Sequence, residues 1–143
     1  MTHRAESILE AVKTTLTGLT TTGLNVQRGR YYDLTTLPAL VIEKGSDNTA
    51  TERNTAFQDR NLDISITSAI EQAGSVEGTL NQIAAEIYAA MMADITLGLD
   101  YVIDVQFTGD STPSIEVGGD LPIGFMETSF MVSYRHSYTS TEA

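Results

Sequence analysis

The stretch Arg28-Gly-Arg-Tyr-Tyr-Asp-Leu-Thr-Thr-Leu-Pro-Ala-Leu-Val-Ile-Glu-Lys-Gly45 decides the fold. Its second half, Ala39-Leu-Val-Ile-Glu43, is the densest strand-like apolar run in the chain. Adjacent Leu, Val and Ile call for burial on both faces, which is the pattern of a central strand. Pro38 has no N–H for a ladder and belongs at the strand start. It also pushes Leu37 toward extended geometry. Lys44-Gly45 then opens a polar segment, and Arg28, Arg30, Tyr31 and Tyr32 form a cation- and aromatic-rich approach.

Upstream, Ala5, Ile8, Leu9, Val12, Leu16 and Leu19 recur at three- and four-residue steps, which predicts a helix from about Thr2 to Leu16. Thr2 or His3 starts it, and Glu6 lies near the positive end of its dipole. The Thr-rich run to Gly23 ends it. A strand is expected over Leu24–Tyr32, a turn over Asp33–Thr36, and the central strand over Pro38–Lys44. Ser46–Asn54 lacks any hydrophobic period and reads as a mobile loop.

Phe57–Ile70 returns to strand alternation, with Leu62, Ile64 and Ile66 on one side and Asp63, Ser65 and Thr67 on the other. A second helix spans about Ser75–Ala93, with Ser75 as N-cap and Val76, Leu80, Ile83, Ala84, Ile87 and Met91 as its stripe. Next comes a strand with Tyr101, Ile103, Val105 and Phe107 inward. Gly109–Ile123 reads as a loop with at most a short strand near Ile115. The final strand, Phe125 to about Tyr138, turns Met126, Phe130, Val132 and Tyr134 to one face. Its tail, Thr139–Ala143, reads as loose.

The order α-β-β-β-α-β-β predicts an α+β fold: a mainly antiparallel sheet of about five strands with two helices packed on one face. At 143 residues, 1–143 reads as a single domain. A chain of this size buries about 70% of its unfolded surface without staples. There is no cysteine, so disulfides, thiolate zinc sites and thiol chemistry are excluded. No signal-like or membrane-spanning apolar window is present, which suggests folding in a cytoplasm.

The net charge of −11 is unevenly spread. Residues 1–60 hold seven bases and seven acids; from Asn61 to Ala143 there are twelve acids and one base, Arg135. Phosphate neutralisation needs Lys and Arg, so this balance argues against nucleic-acid binding. An acidic surface can simply be solvated; it can also repel DNA or meet a basic partner.

Chemistry finds no foothold in the motifs. His3 and His136 lie at opposite ends without zinc spacing, and the acids at Asp94, Asp100, Asp104 and Asp110 lack calcium-loop spacing. Gly18-Leu-Thr-Thr-Thr-Gly23 has a phosphate-loop skeleton, but Leu24-Asn25 replace the required Lys and hydroxyl residue, and the segment follows a helix. There is no nucleophile elbow. The expectation is therefore no catalytic residue, no cofactor and no metal.

Partner chemistry is better represented. Arg28, Arg30, Tyr31 and Tyr32 are types enriched at interface centres. Glu52, Arg53, Phe57, Asp59 and Arg60 flank the polar loop, and Arg135 is the lone late cation. A chain with one Arg-bearing half and one acidic half suits a head-to-tail contact between copies. These ten residues are the candidate subunit or partner interface.

The series of an amphipathic helix, an Arg/Tyr strand, Leu37-Pro-Ala-Leu-Val-Ile-Glu43, a polar loop, Asn61-Leu-Asp-Ile-Ser-Ile-Thr67, a helix, an acidic segment and Phe130-Met-Val-Ser-Tyr-Arg135 resembles the tail terminator proteins of long-tailed bacteriophages, of the lambda type. The resemblance covers nearly the whole chain as pattern and size. It implies a structural virion protein in the tail–neck region, made in the host bacterial cytoplasm, with no catalytic residues. Such proteins form a hexameric homo-oligomeric ring that caps the tail tube and ends its polymerisation. Its implied partners are further copies of itself, the tail tube protein and a head or neck connector. DNA passes through the lumen without specific binding, and no membrane is involved. Other neck or tail-completion proteins share the outline, and a small α+β ligand-binding domain or enzyme is the reading from another class.

Overall fold

The computed structural model describes residues 2–29, 37–50, 56–117, 121–137 and 139–142. Helix α1 spans Arg4–Leu16 and α2 spans Val76–Ala93. The strands are β1 (Val26–Arg28), β2 (Ala39–Thr49), β3 (Phe57–Glu71), β4 (Val102–Asp110), β5 (Ser114–Glu116) and β6 (Ile123–Ser137). They form one sheet in the order β1-β2-β3-β6-β4, with β5 also paired to β6. All pairings are antiparallel except β1 with β2. This is the expected α+β fold, with six strands where about five were anticipated.

The longest pairing joins β3 to β6, from Phe57 opposite Ser137 to Glu71 opposite Ile123. Leu62 faces Val132, Ile64 faces Phe130 and Ser68 faces Met126. These side chains join Leu40 and Ile42 of β2 in a core shared with both helices. The neighbouring central-strand residues Ala39 and Val41 point the other way and are buried as well, so this strand is covered on both faces. Pro38 stands immediately before it, as its missing N–H requires.

Helix α1 turns Ala5, Ile8, Leu9, Val12 and Leu16 inward, the stripe its spacing demands. His3 is the N-cap: its Nδ1 accepts from the Ala5 N–H at 2.9 Å. The hydroxyls of Thr14, Thr15 and Thr17 bond back to carbonyls four residues earlier. That local competition explains why the helix stops at the threonine run. Gly18, at φ +97°, carries the chain out of it.

The sequence expectation fails in four places. β2 continues to Thr49, so Ser46–Thr49 is strand rather than loop; an extra residue between Lys44 and Asp47 absorbs its polar side chains as a bulge. Only Val26–Arg28 of the expected Leu24–Tyr32 strand is strand among the described residues. In β4, Val102 and Val105 are buried and Ile103 is exposed, because a bulge at Val102/Asp104 breaks strict alternation; Phe107 keeps the inward face opposite Phe130, as expected, but stays 39% exposed at the sheet edge. The tail is also tied down: Glu142 pairs with His3 and Ser140 with Ser137 in single bridges. The expected turn at residues 33–36 lies outside the described residues.

α2 rests on the sheet where β6 carries Gly124. A Cβ built there meets Val76 Cγ1 at 2.2 Å and Leu80 Cδ1 at 3.2 Å. Glycine is therefore required by the close approach of the helix rather than by its own torsion angles. Gly124→Ala is expected to lower unfolding free energy by about 1–3 kcal/mol through overpacking, measured by chemical denaturation; an unchanged midpoint contradicts the close packing.

Candidate functional site

The described members of the candidate interface fall into three separate charge clusters. Asp59 and Arg135 stand directly opposite each other on β3 and β6. Arg135 Nε donates to Asp59 Oδ1 at 2.7 Å and Nη2 to Oδ2 at 3.2 Å. The guanidinium also lies over the Phe57 ring, 3.6 Å from its centroid. The carboxylate raises the Arg135 pKa. Phe57, Asp59 and Arg135 thus form one preorganised patch on the sheet face that carries no helix, with Arg135 exposed above a largely covered Asp59.

Arg28 sits elsewhere. Its Nη1 donates to Glu6 Oε1 at 2.9 Å and Glu10 Oε1 at 2.7 Å, and its Nη2 donates to Glu6 Oε2 at 2.9 Å. Glu6 and Glu10 are one helical turn apart on α1, so a single fork spans both. The Arg28 bond holds the Glu6 carboxyl below its usual range. The sequence suggested that Arg28 reaches the acidic half of a neighbour; in the folded chain it fastens β1 to α1.

Arg60 is the third cluster. Its Nη1 lies 3.4 Å from Asp47 Oδ2, and the same oxygen accepts the Tyr134 hydroxyl at 2.8 Å. The Tyr134 ring is fully buried. Burial, followed by the bond to Asp47, raises its pKa. The Asp47 side chain is 9% exposed, and its Oδ1 has no protein partner. The pKa of His3, the α1 N-cap, is lowered from its ordinary value of 6.5, first by burial and then by the Arg60 and Lys44 charges, against the pull of Asp47. Arg30, Tyr31, Tyr32, Glu52 and Arg53 lie outside the described residues.

Three contributors escaped the sequence reading. Asp47 was assigned to a loop and is in fact a strand residue pointing toward the helices. Tyr134 read as a plain apolar position. Arg4 ties the two chain ends together: its N–H donates to the Thr141 carbonyl at 2.8 Å, its Nε to the Glu142 carbonyl at 3.0 Å and its Nη1 to the Arg135 carbonyl. Its guanidinium also covers the Tyr101 ring at 4.6 Å. Nothing local in the sequence marks carbonyl partners more than a hundred residues away.

The other distinctive surface is the outer edge of the sheet. β4 pairs with β6 on one side only, and β5 continues the same line along β6. Of the large exposed hydrophobics among the described residues, Ile103 and Phe107 lie on β4 and Ile115 on β5, Val117 follows β5, Leu121 precedes β6, and Tyr88 of α2 stands beside Phe107. Tyr88 meets Phe107 edge-to-face at 5.4 Å between centroids, and Phe107 meets buried Phe130 at 5.6 Å. Asp104, Asp110 and Glu116 accompany them, and no Lys or Arg occurs between Asn61 and Tyr134. Natural edges are usually blunted by lysine; this one is apolar and acidic.

Among the described residues, no group of three or more His, Cys, Asp or Glu side chains is placed to hold a metal ion, and no helix is long and apolar enough to cross a membrane. The grooves are shallow. One of about 430 Å³ is lined by Arg4, Asp100, Tyr101, Ile103 and Arg135, and another of about 320 Å³ lies beside β5, lined in part by Thr67, Ser111 and Ser114.

No protein-family model matches the chain, and no curated protein matches it. Among solved structures, a chain from the virion of a native gene transfer agent particle is similar at 13% identity and a TM-score of 0.47, covering 93% of this chain and 88% of that one.

Two outcomes follow from the Asp47 cluster. A neutral His3 is required for Nδ1 to accept the Ala5 N–H, so protonation removes the cap and adds charge at the positive end of α1. Because the folded pKa is lowered, this contribution is complete above about 6.5 and is lost as pH falls through the folded value. A His3→Asn variant, which keeps a cap acceptor, is expected to lose less stability than wild type between neutral and mildly acidic pH; parallel curves contradict the role. Tyr134→Phe is expected to cost about 1–3 kcal/mol by leaving the Asp47 carboxylate short of a donor, read by thermal or urea denaturation.

Proposed function

We propose that this chain is a structural virion protein of a phage-like particle, a tail terminator whose copies form a ring at the end of the tail tube and join it to the head or neck. The observation that carries the reading is the sheet edge described above. Exposed apolar side chains and carboxylates lie along β4 and β5, whereas the described interface cations Arg28, Arg60 and Arg135 are bound within the chain. Such a surface suits assembly with other protein subunits, and contiguous exposed apolar patches mark such contacts.

The resemblance in element order supports the finer assignment. The partners are further copies of this chain, the tail tube protein and a neck connector. Carboxylates on the helix-free face, including Asp63 and Glu127, would repel DNA phosphates, so that DNA passes without being held. No catalytic step belongs to this reading, and neither a cofactor nor a metal ion is needed.

Electron microscopy of particles carrying a tagged copy, together with solution mass measured with and without tail tubes, tests the assignment. The tag is expected at the junction of tail and head, with ring-sized species bound to tube ends. A tag placed elsewhere on the particle makes the chain a different neck or tail component. A protein that stays monomeric and never meets tube ends removes the tail-terminator reading.

A further inference from the structure

The outer edge raises the question of what covers it, and the sheet contains a candidate. β1 pairs with β2 only at Leu40–Ile42. Beyond that point, the outer side of Lys44–Thr49 has no strand partner among the described residues. This segment is polar and exposed apart from Asp47, with Lys44 at its start. Among the described residues, the sheet therefore has two strand edges without a partner, of opposite character: an apolar, acidic one at β4 and a polar one with a lysine at β2.

The directions are compatible. β2, β3, β6 and β4 are successive antiparallel neighbours, so β4 runs opposite to β2. A rotation about an axis along the strands keeps β2 of a second copy in its original direction. It then meets β4 antiparallel, with all helices on the same side. Such a contact joins two different patches and repeats, which is the condition for a ring.

The irregularities also match. β2 carries one extra residue between Lys44 and Asp47, and β4 carries one between Phe107 and Gly109. The register that places Lys44 opposite Asp110 sets these two bulged segments against each other. It also places Asn48 opposite Gln106, both pointing to the helix-free face: Asn48 stands beside Asn61, and Gln106 beside Met131.

We infer that the occupant of the β4 edge is the Lys44–Thr49 segment of a second copy of this chain, paired antiparallel so that the sheet continues from subunit to subunit. This rests on the ring-forming role proposed above and specifies its contact. Lys44 meets Asp110 in this register, and the neighbour covers Phe107 and Ile103, which are 39% and 47% exposed in the single chain. The main-chain groups without a strand partner among the described residues then gain one.

The chain contains no cysteine, so introduced thiols are the only ones. Asn48→Cys and Gln106→Cys are both at exposed positions, and a thermal melt verifies that each variant folds. Under mild oxidation at millimolar protein, the double variant is expected to give a ladder of disulfide-linked multimers on a non-reducing gel, while each single variant stays monomeric. Dimers from a single variant indicate a two-fold contact and overturn the inference, as does a double variant without cross-links. A ladder from protein that never binds tube ends keeps the contact and removes the tail-capping role. Rings at tube ends without a ladder keep the role and remove this contact.

Discussion

The β3–β6 ladder is the constraint on which the rest of the structure depends. Side chains alternate with a period of two, so a single register puts Leu62, Ile64 and Ile66 beside Val132, Phe130 and Thr128 under the helices. A slip of one residue would send these apolar groups to the open face and bring Asp63, Ser65 and Glu127 into the core. Phe130 and Tyr134 are among the largest fully buried side chains, and truncating residues of this kind costs about 3–5 kcal/mol. The register is correspondingly well specified.

The same ladder positions the charged groups. It sets Asp59 opposite Arg135 and Arg60 opposite Tyr134. The first pair forms on the open face, where it is solvated and contributes little to stability. The second lies at the helix-side margin, where β2 brings Asp47 to both partners. Two adjacent residues of one strand thus enter different environments because they point to opposite faces. Both helices then close one face, and among the described residues the β4 edge has no strand beside it.

Much of this was legible in the chain. The helices, the buried strand after Pro38, the faces of β3 and β6 and the short β5 all follow from hydrophobic spacing. The misses have a common origin in interruptions of that spacing. β2 passes through a bulge and continues with polar residues that resemble a loop, while a bulge in β4 turns Ile103 outward. An inserted residue is invisible to a periodic pattern unless its partner strand is known. The arginines of the candidate interface were recognisable as a group of suitable residue types, but their partners were not.

What the sequence alone determined is the set of properties that depend on neighbours along the chain. These are the helical stripes, the strand alternation, the helix stop at the threonine run and the separation of cations from the acidic second half. Tertiary structure alone decided which charges meet and which edges stay open. Arg28 finds Glu6 and Glu10, Arg135 finds Asp59, and Arg4 finds the carbonyls of the C-terminal tail. The physical reason is that hydrogen bonds and ion pairs act over a few ångströms through space. Sequence periodicity records only which face a residue occupies, and distance between remote residues exists only once the sheet has formed.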